Sequence, residues 1–232
     1  MMIRPLLLFF ILFSTLLSYG QDSINKTDHG GRRQGNWIKR DKEGHKLYDG
    51  QFSDGVPYGI FRYYYPNGKV KAISVMSENG KLARTVSFSV NGRKIAEGNF
   101  RNEKKDSIWN YFSELDGVLL SCESYLEGEK IGRSATFYPN GNIAELINFS
   151  SGKKAGEWIQ YYDDGRVRFQ GYYAADEKEG QFKAYYPDGK LSISGAYKAG
   201  HKDGTWTFYD EKGGIINSEK YWEGAVIKEK TQ

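Results

Sequence analysis

A glycine returns every 24 residues through most of this chain and brings a fixed set of neighbours with it. Counted from Gly35, position 1 of the unit falls at Gly35, Gly59, Ala83, Ser107, Gly132, Gly156, Gly180 and Gly204, in steps of 24 except for one of 25 after Ser107. A second glycine holds position 10, at Gly44, Gly68, Gly92, Gly141, Gly165, Gly189 and Gly213, with Gly117 one place late in the fourth copy. One inserted residue near Ser113 to Asp116 explains both irregularities. A period of this length marks a stack of supersecondary units, each unable to bury its apolar face without its neighbours.

Within a unit the pattern is that of a hairpin. Gly180 to Lys198, GQFKAYYPDGKLSISGAYK, places aromatic and branched residues on both sides of Pro187-Asp188-Gly189, and that tripeptide supplies the dihedrals of a tight reversal. Segments between units, such as Lys198 to Gly204 and Glu127 to Gly132, are short, charged and glycine-bearing, as turns are. Helical periodicity is absent after the first twenty residues. The sequence therefore predicts an all-β fold, a repetitive antiparallel β-hairpin meander of about eight 24-residue repeats, giving sixteen strands over residues 35–227.

The aromatic residues keep the same step. Position 3 is Trp37, Phe61, Trp109, Trp158, Phe182 and Trp206, with Thr85 and Ser134 as exceptions. Position 6 is Tyr64, Phe88, Phe112, Phe137, Tyr161, Tyr185 and Tyr209, and position 18 is Phe52, Met76, Phe100, Tyr125, Phe149, Tyr173, Tyr197 and Tyr221. Cross-strand packing between hairpins is the first explanation for such rows. A two-residue turn would set position 3 opposite position 16, Trp158 over Gly171 and Phe182 over Gly195. A type I turn with a bulged glycine would instead bring position 6 beside positions 12 and 18. A slip of one residue exchanges the faces, so both arrangements stay open at this level. If a stripe is left uncovered, Trp109, Trp158, Tyr161, Tyr185, Trp206 and Tyr209 are the candidate binding residues.

The remaining segments differ in kind. Arg4 followed by the apolar run Leu6 to Leu17 and by Ser18-Tyr19-Gly20 reads as a secretory signal over residues 1–20, too short to span a bilayer and cleaved before Gln21. Residues 21–34 are a polar lead-in and 228–232 a tail. Export would place the chain in the periplasm, the outer envelope or the medium.

Catalytic chemistry finds no foothold. Cys122 is the only cysteine, so no internal disulfide forms, and His29, His45 and His201 stand in polar stretches without a nucleophile motif nearby. Asp163-Asp164 occupies the turn slot held elsewhere by Asn140 and Asp188. No His, Cys or carboxylate cluster shows metal-ligand spacing, and no glycine opens a helix to cradle a phosphate, so neither metal nor cofactor is expected. The net charge of +4 is spread over intermixed acidic and basic residues, a solvated surface with no nucleic-acid footprint.

The pattern G-x-W-x-x-Y-Y-P-D/N-G-K-L followed by G-x-Y-K-x-G-x-x-x-G, clearest from Gly156 to Gly213, resembles the MORN repeat in the variant found in tandem in bacterial proteins and in the YwqK-type antitoxin family. The resemblance implies a curved or twisted sheet that binds proteins or membrane lipids without chemistry of its own. Together these readings predict a non-enzymatic, exported scaffold in the cell envelope with an unidentified protein partner. A toxin-neutralising antitoxin and an envelope glycan- or lipid-binding module are the alternatives. Specificity is expected where copies depart from the consensus, first at Ala83 to Lys105 and in the inserted loop near Leu115.

Overall fold

The computed structural model describes residues 23–227, so the expected signal segment and the tail lie outside the described residues. Eight hairpins follow one another: Arg33–Arg40 with Lys46–Ser53, Val56–Tyr64 with Val70–Ser77, Leu82–Phe88 with Lys94–Arg101, and Lys104–Phe112 with Leu119–Leu126. The fifth joins Glu129–Lys130 and Gly132–Phe137 to Ile143–Ser150, and the sixth is Lys153–Tyr161 with Val167–Ala174. The seventh joins Glu177–Lys178 and Gly180–Tyr185 to Leu191–Lys198, and the eighth is His201–Tyr209 with Ile215–Trp222. Each hairpin pairs antiparallel with the next in one open meander. Lys26–Thr27 and Ala225–Val226 add short strands at the two edges. The fold is thus the all-β meander that the 24-residue register requires, with no helix among the described residues.

Two local devices set the register, and they reconcile the two turn geometries. In the sixth hairpin Tyr162 N donates to Arg166 O at 2.8 Å and Gly165 N donates to Tyr162 O at 3.0 Å, with Gly165 at φ 87°. This is a type I turn closed by a bulged glycine, which needs a residue free of Cβ crowding at positive φ. Tyr161 accordingly faces Val167, position 6 against position 12. The ladder then slips, so that Gln160 faces Phe169 and Trp158 faces Gly171. That second bulge, at position 13, restores the pairing of position 3 with position 16. Position 18 sits opposite position 1, as Tyr173 does opposite Gly156, so the expected neighbourhood of positions 6 and 18 does not form.

Between hairpins the chain turns on two residues at positive φ, for instance Ser151 (47°) with Gly152 (79°) and Ala199 (49°) with Gly200 (80°), as a type I′ turn demands. Position 1 then takes positive φ in a bulge: Gly204 is at 70°, and even Ser107 adopts 60°. At the junction of the seventh and eighth hairpins Ser194 faces Thr207 while Ala196 faces Asp203, so Gly204, Thr205 and Trp206 together oppose Gly195. Where position 16 is glycine, the bulge swings the next position-3 ring onto it, whereas Trp158 faces Ile147. A Cβ on Gly50, Gly98 or Gly195 would lie 2.4, 2.4 or 2.3 Å from ring carbons of Phe61, Trp109 or Trp206. Close approach of a ring, with φ playing no part, is what requires glycine there.

One face of the sheet therefore carries the core. Trp206 is 2 % exposed, Phe61 and Trp109 3 %, Phe52 5 %, and Trp158 and Tyr125 8 %. A position-3 ring meets the position-18 ring of the hairpin before it edge to face, with centroids 5.3 Å apart for Phe52 and Phe61, 4.9 Å for Phe100 and Trp109, and 5.0 Å for Tyr197 and Trp206. Such contacts add to the free energy of burial, and every one of them crosses a repeat boundary. At the turn end, position-7 tyrosines tie repeats together again. Tyr65 Oη donates to Phe88 O (2.8 Å), Tyr138 to Tyr161 O (2.7 Å), Tyr162 to Tyr185 O (2.8 Å) and Tyr186 to Tyr209 O (2.6 Å).

Candidate binding cavity in the aromatic face

A row of cations covers the aromatic stripe. Two residues before each position 1 stand Arg33, Lys81, Lys105, Lys130, Lys154, Lys178 and Lys202, with Pro57 in the second repeat. Arg33 lies 4.1 Å above the Phe52 ring, Lys105 4.8 Å from Trp109, and Lys130 5.3 Å from Phe149. Lys154 lies 5.0 Å from Tyr173, Lys178 5.0 Å from both Trp158 and Tyr197, and Lys202 4.5 Å from Trp206. A cation over the face of a ring is held by the ring quadrupole, and its alkyl stem shields the ring from water. Sequence reasoning took these lysines for solvated surface charges. Their own 24-residue recurrence was the signal that could have found them.

The row and the stripe both fail at the third hairpin. Thr85 stands where most repeats carry Trp or Phe, and Met76 is the one non-aromatic residue at position 18. Ala83 stays out of the positive φ that position 1 adopts in the other repeats. The second and third hairpins consequently pair in a straight ladder from Ala72 with Ser87 to Ser77 with Leu82. The two residues that would have bulged pass into a wider turn, Glu78 to Lys81, in which Glu78, Asn79 and Gly80 have φ of 48°, 54° and 77°.

Straightening brings Ser74 directly opposite Thr85, their hydroxyls 2.8 Å apart and both residues 4 % exposed. Above this pair lies a cavity of about 590 Å³, walled by Phe61, Tyr63 and Phe100, with Arg33, Lys81 and Glu103 also lining it. Burial, reinforced by the charges of Tyr48 and Glu103, raises the Tyr63 phenol above its ordinary value, so that wall stays neutral. Lys81, alone in the cation row, lies over no ring and joins no ion pair among the described residues.

The fifth hairpin also lacks its ring, at Ser134, but there the space is filled. Glu123, at position 16 of the fourth hairpin, accepts from Lys130 Nζ at 2.8 Å and from Tyr125 Oη at 2.5 Å. Burial opposes the Glu123 carboxylate, yet these two hydrogen bonds and the charges of Lys130 and Lys105 hold it below its ordinary value. Ser134 Oγ is buried without a hydrogen-bond partner.

Of the six residues read from the sequence as binding candidates, Trp109, Trp158 and Trp206 are buried inside the stack. Tyr161, Tyr185 and Tyr209 are half-buried, and their carbonyls accept the tyrosine hydroxyls described above. None of the six lines the cavity. The inserted loop is clasped by the third hairpin: Asn91 Nδ2 donates to Glu114 Oε1 at 2.9 Å, and Arg93 donates to the carbonyls of Glu114 and Leu115.

The other candidates for chemistry are turn residues. Asp164 bonds Arg166, whose hydrogen bonds hold its carboxyl below the ordinary value. Cys122 is half-buried in a strand, opposite Asn110 and Ala135. One finding corrects the sequence reading: Asp41, Glu43 and His45 do bring possible ligand atoms within 4.8 Å of one another. They belong to the first turn, where Asp41 accepts from His45 N at 2.8 Å and lies 3.0 Å from His45 Nδ1, bonds that hold the turn.

A model of the MORN repeat variant matches residues 57–76, 130–151, 154–175 and 178–199. Four segments of the chain are MORN-variant repeats. Each matched MORN segment begins two residues before position 1, at Pro57 or at a lysine of the cation row, and the divergent third hairpin is not among them. No curated protein matches the sequence. Among solved structures, the crystal structure of TcdB2-TccC3 is similar at 12 % identity and a TM-score of 0.19, over 84 % of this chain and 16 % of that one. A porin-like protein from Bacteroides uniformis is similar at 9 % identity and a TM-score of 0.21, over 82 % of this chain and 91 % of that one.

Proposed function

We propose that this chain, with its MORN-variant repeats, is a non-enzymatic, exported protein whose sheet docks a protein partner in the cell envelope, with the cavity over the second and third hairpins as its point of contact. The observation that carries this reading is the position of the cavity. The 24-residue register runs through the third repeat intact, while the ring, the bulge and the lysine's partner are all missing from that repeat alone. Loss of packing without loss of register uncovers apolar surface on the aromatic face at this repeat, and uncovered apolar surface of this kind is where partners bind. Export is supported by the apolar run Leu6 to Leu17, and the binding role by an extended open sheet whose polar clusters serve its turns.

The test is affinity capture with the full chain from envelope and cytoplasmic fractions of its native host. Retention of a discrete protein from the envelope fraction, absent from the cytoplasmic one, is the expected result. A hydrolytic or transfer activity of the purified chain, lost on a point substitution, would overturn the reading.

A further inference from the structure

We infer that the cavity over Thr85 is a socket for one planar aromatic side chain presented by the partner, seated where the third repeat lacks its own ring. The inference rests on the protein-binding reading and names the chemistry of the contact. Four observations converge on a ring. Thr85 occupies the position from which Phe61, Trp109, Trp158, Phe182 and Trp206 supply rings, and Met76 the position that is otherwise aromatic in every repeat.

The walls are therefore the surfaces that rings cover elsewhere. Phe61 stands on one side and Phe100 on the other, and no ring pair joins them among the described residues. Lys81 occupies the row whose other cations lie 4.1 to 5.3 Å from a ring centroid, and an inserted ring would give it the same contact. The floor suits a flat apolar group as well. Ser74 and Thr85 bond each other at 2.8 Å, so covering them leaves no hydroxyl unpaired. Glu103, among the lining residues, supplies an acceptor for an indole N–H or a phenol. An aliphatic side chain would fill part of the space but regain neither the cation contact nor the edge-to-face geometry.

Met76 reports on the socket, since it lines the cavity and is the single methionine among the described residues. The full chain, isotope-labelled on methionine methyls, is titrated with N-acetyl-tryptophanamide and, in parallel, with N-acetyl-leucinamide. A saturable upfield shift of the Met76 methyl with the tryptophan amide alone is expected, weakened in Lys81→Gln and abolished in Thr85→Trp, which should show that shift without ligand. No saturable shift at millimolar probe, or an equal response to the leucine amide, would overturn the proposal. If Thr85→Trp fails to fold, the Lys81→Gln comparison still decides: a weakened affinity for the tryptophan amide supports the socket, and an unchanged one overturns it.

The partner arm separates this inference from the reading beneath it. Loss of the captured protein in Thr85→Trp supports the socket, whereas equal capture by wild type and Thr85→Trp overturns the socket and leaves protein binding standing. A titrating Met76 methyl together with a wild type that captures nothing would assign the cavity to a free aromatic compound and overturn the side-chain occupant.

Discussion

The last three hairpins and the second and third are built on one 24-residue register and differ in what lies over it. From the sixth hairpin onward rings follow without a gap: Trp158 packs on Phe169 at 4.5 Å, Phe169 on Phe182 at 5.8 Å, and Phe182 stacks on Trp206 at 5.6 Å. Between Phe61 and Phe100 there is only a serine–threonine floor and a cavity. Turn glycines alone are therefore enough to keep the register, while the bulge at position 1 and the ring at position 3 decide whether a repeat closes over its neighbour. A position-3 ring needs the bulge to reach across the boundary, but the bulge persists without a ring at the fifth hairpin, where Gly132 keeps φ 60° and position 3 is Ser134. Ser134 sharpens the point: at a second missing ring, the Glu123–Lys130 pair takes its place on the aromatic face.

The largest effect should come from taking a ring out of the closed half. Trp206→Ala is expected to cost about 3–5 kcal/mol, the usual range for emptying a buried aromatic site, whereas Thr85→Ala should cost far less; denaturant unfolding measures both. Equal losses would break the comparison. Next in size is Gly195→Ser. A Cβ there would sit 2.3 Å from Trp206, so a cost of about 1–3 kcal/mol from overpacking is expected. Serine is already native at the equivalent Ser74, where no ring lies above it.

Smaller still is Tyr162→Phe, which removes the 2.8 Å bond to Tyr185 O and should cost about 0.5–1.5 kcal/mol. It would show whether the turn-end tyrosines add to the coupling or only accompany it. The smallest effect concerns acid. Because the Glu123 carboxyl is depressed in the folded chain, its contribution is present above the unfolded value near 4.5 and is lost as pH falls through the folded one. Glu123→Gln should therefore flatten the fall in stability at acid pH, as thermal unfolding across pH would record.

Much of this was legible from the residues, because glycines at turns and bulges answer to backbone geometry, which a single sequence states directly. The repeat count, the hairpins and the antiparallel meander all follow from Gly44 to Gly213 at position 10 and Gly35 to Gly204 at position 1. The buried face was not legible. Two bulges per hairpin each shift the register by one, and the second, at position 13, carries no special residue: Leu47, Lys71, Arg168 and Ile216 all serve. Trp109, Trp158 and Trp206 thus stayed candidates for binding, although packing was the first explanation for them. The divergent third repeat was visible as a departure from pattern, but its consequence depends on the straight ladder between Ala72 and Ser77, which no local signal announces.

The central claim is that stability passes from hairpin to hairpin through the rings and stops where they stop. Hydrogen exchange on the wild type and Trp158→Ala, resolved by segment, tests it most directly. Protection should fall in the sixth hairpin, Lys153–Ala174, and in the seventh and eighth beside it, and be retained in the first two hairpins beyond the cavity. A uniform loss of protection from Arg33 to Trp222 would contradict it.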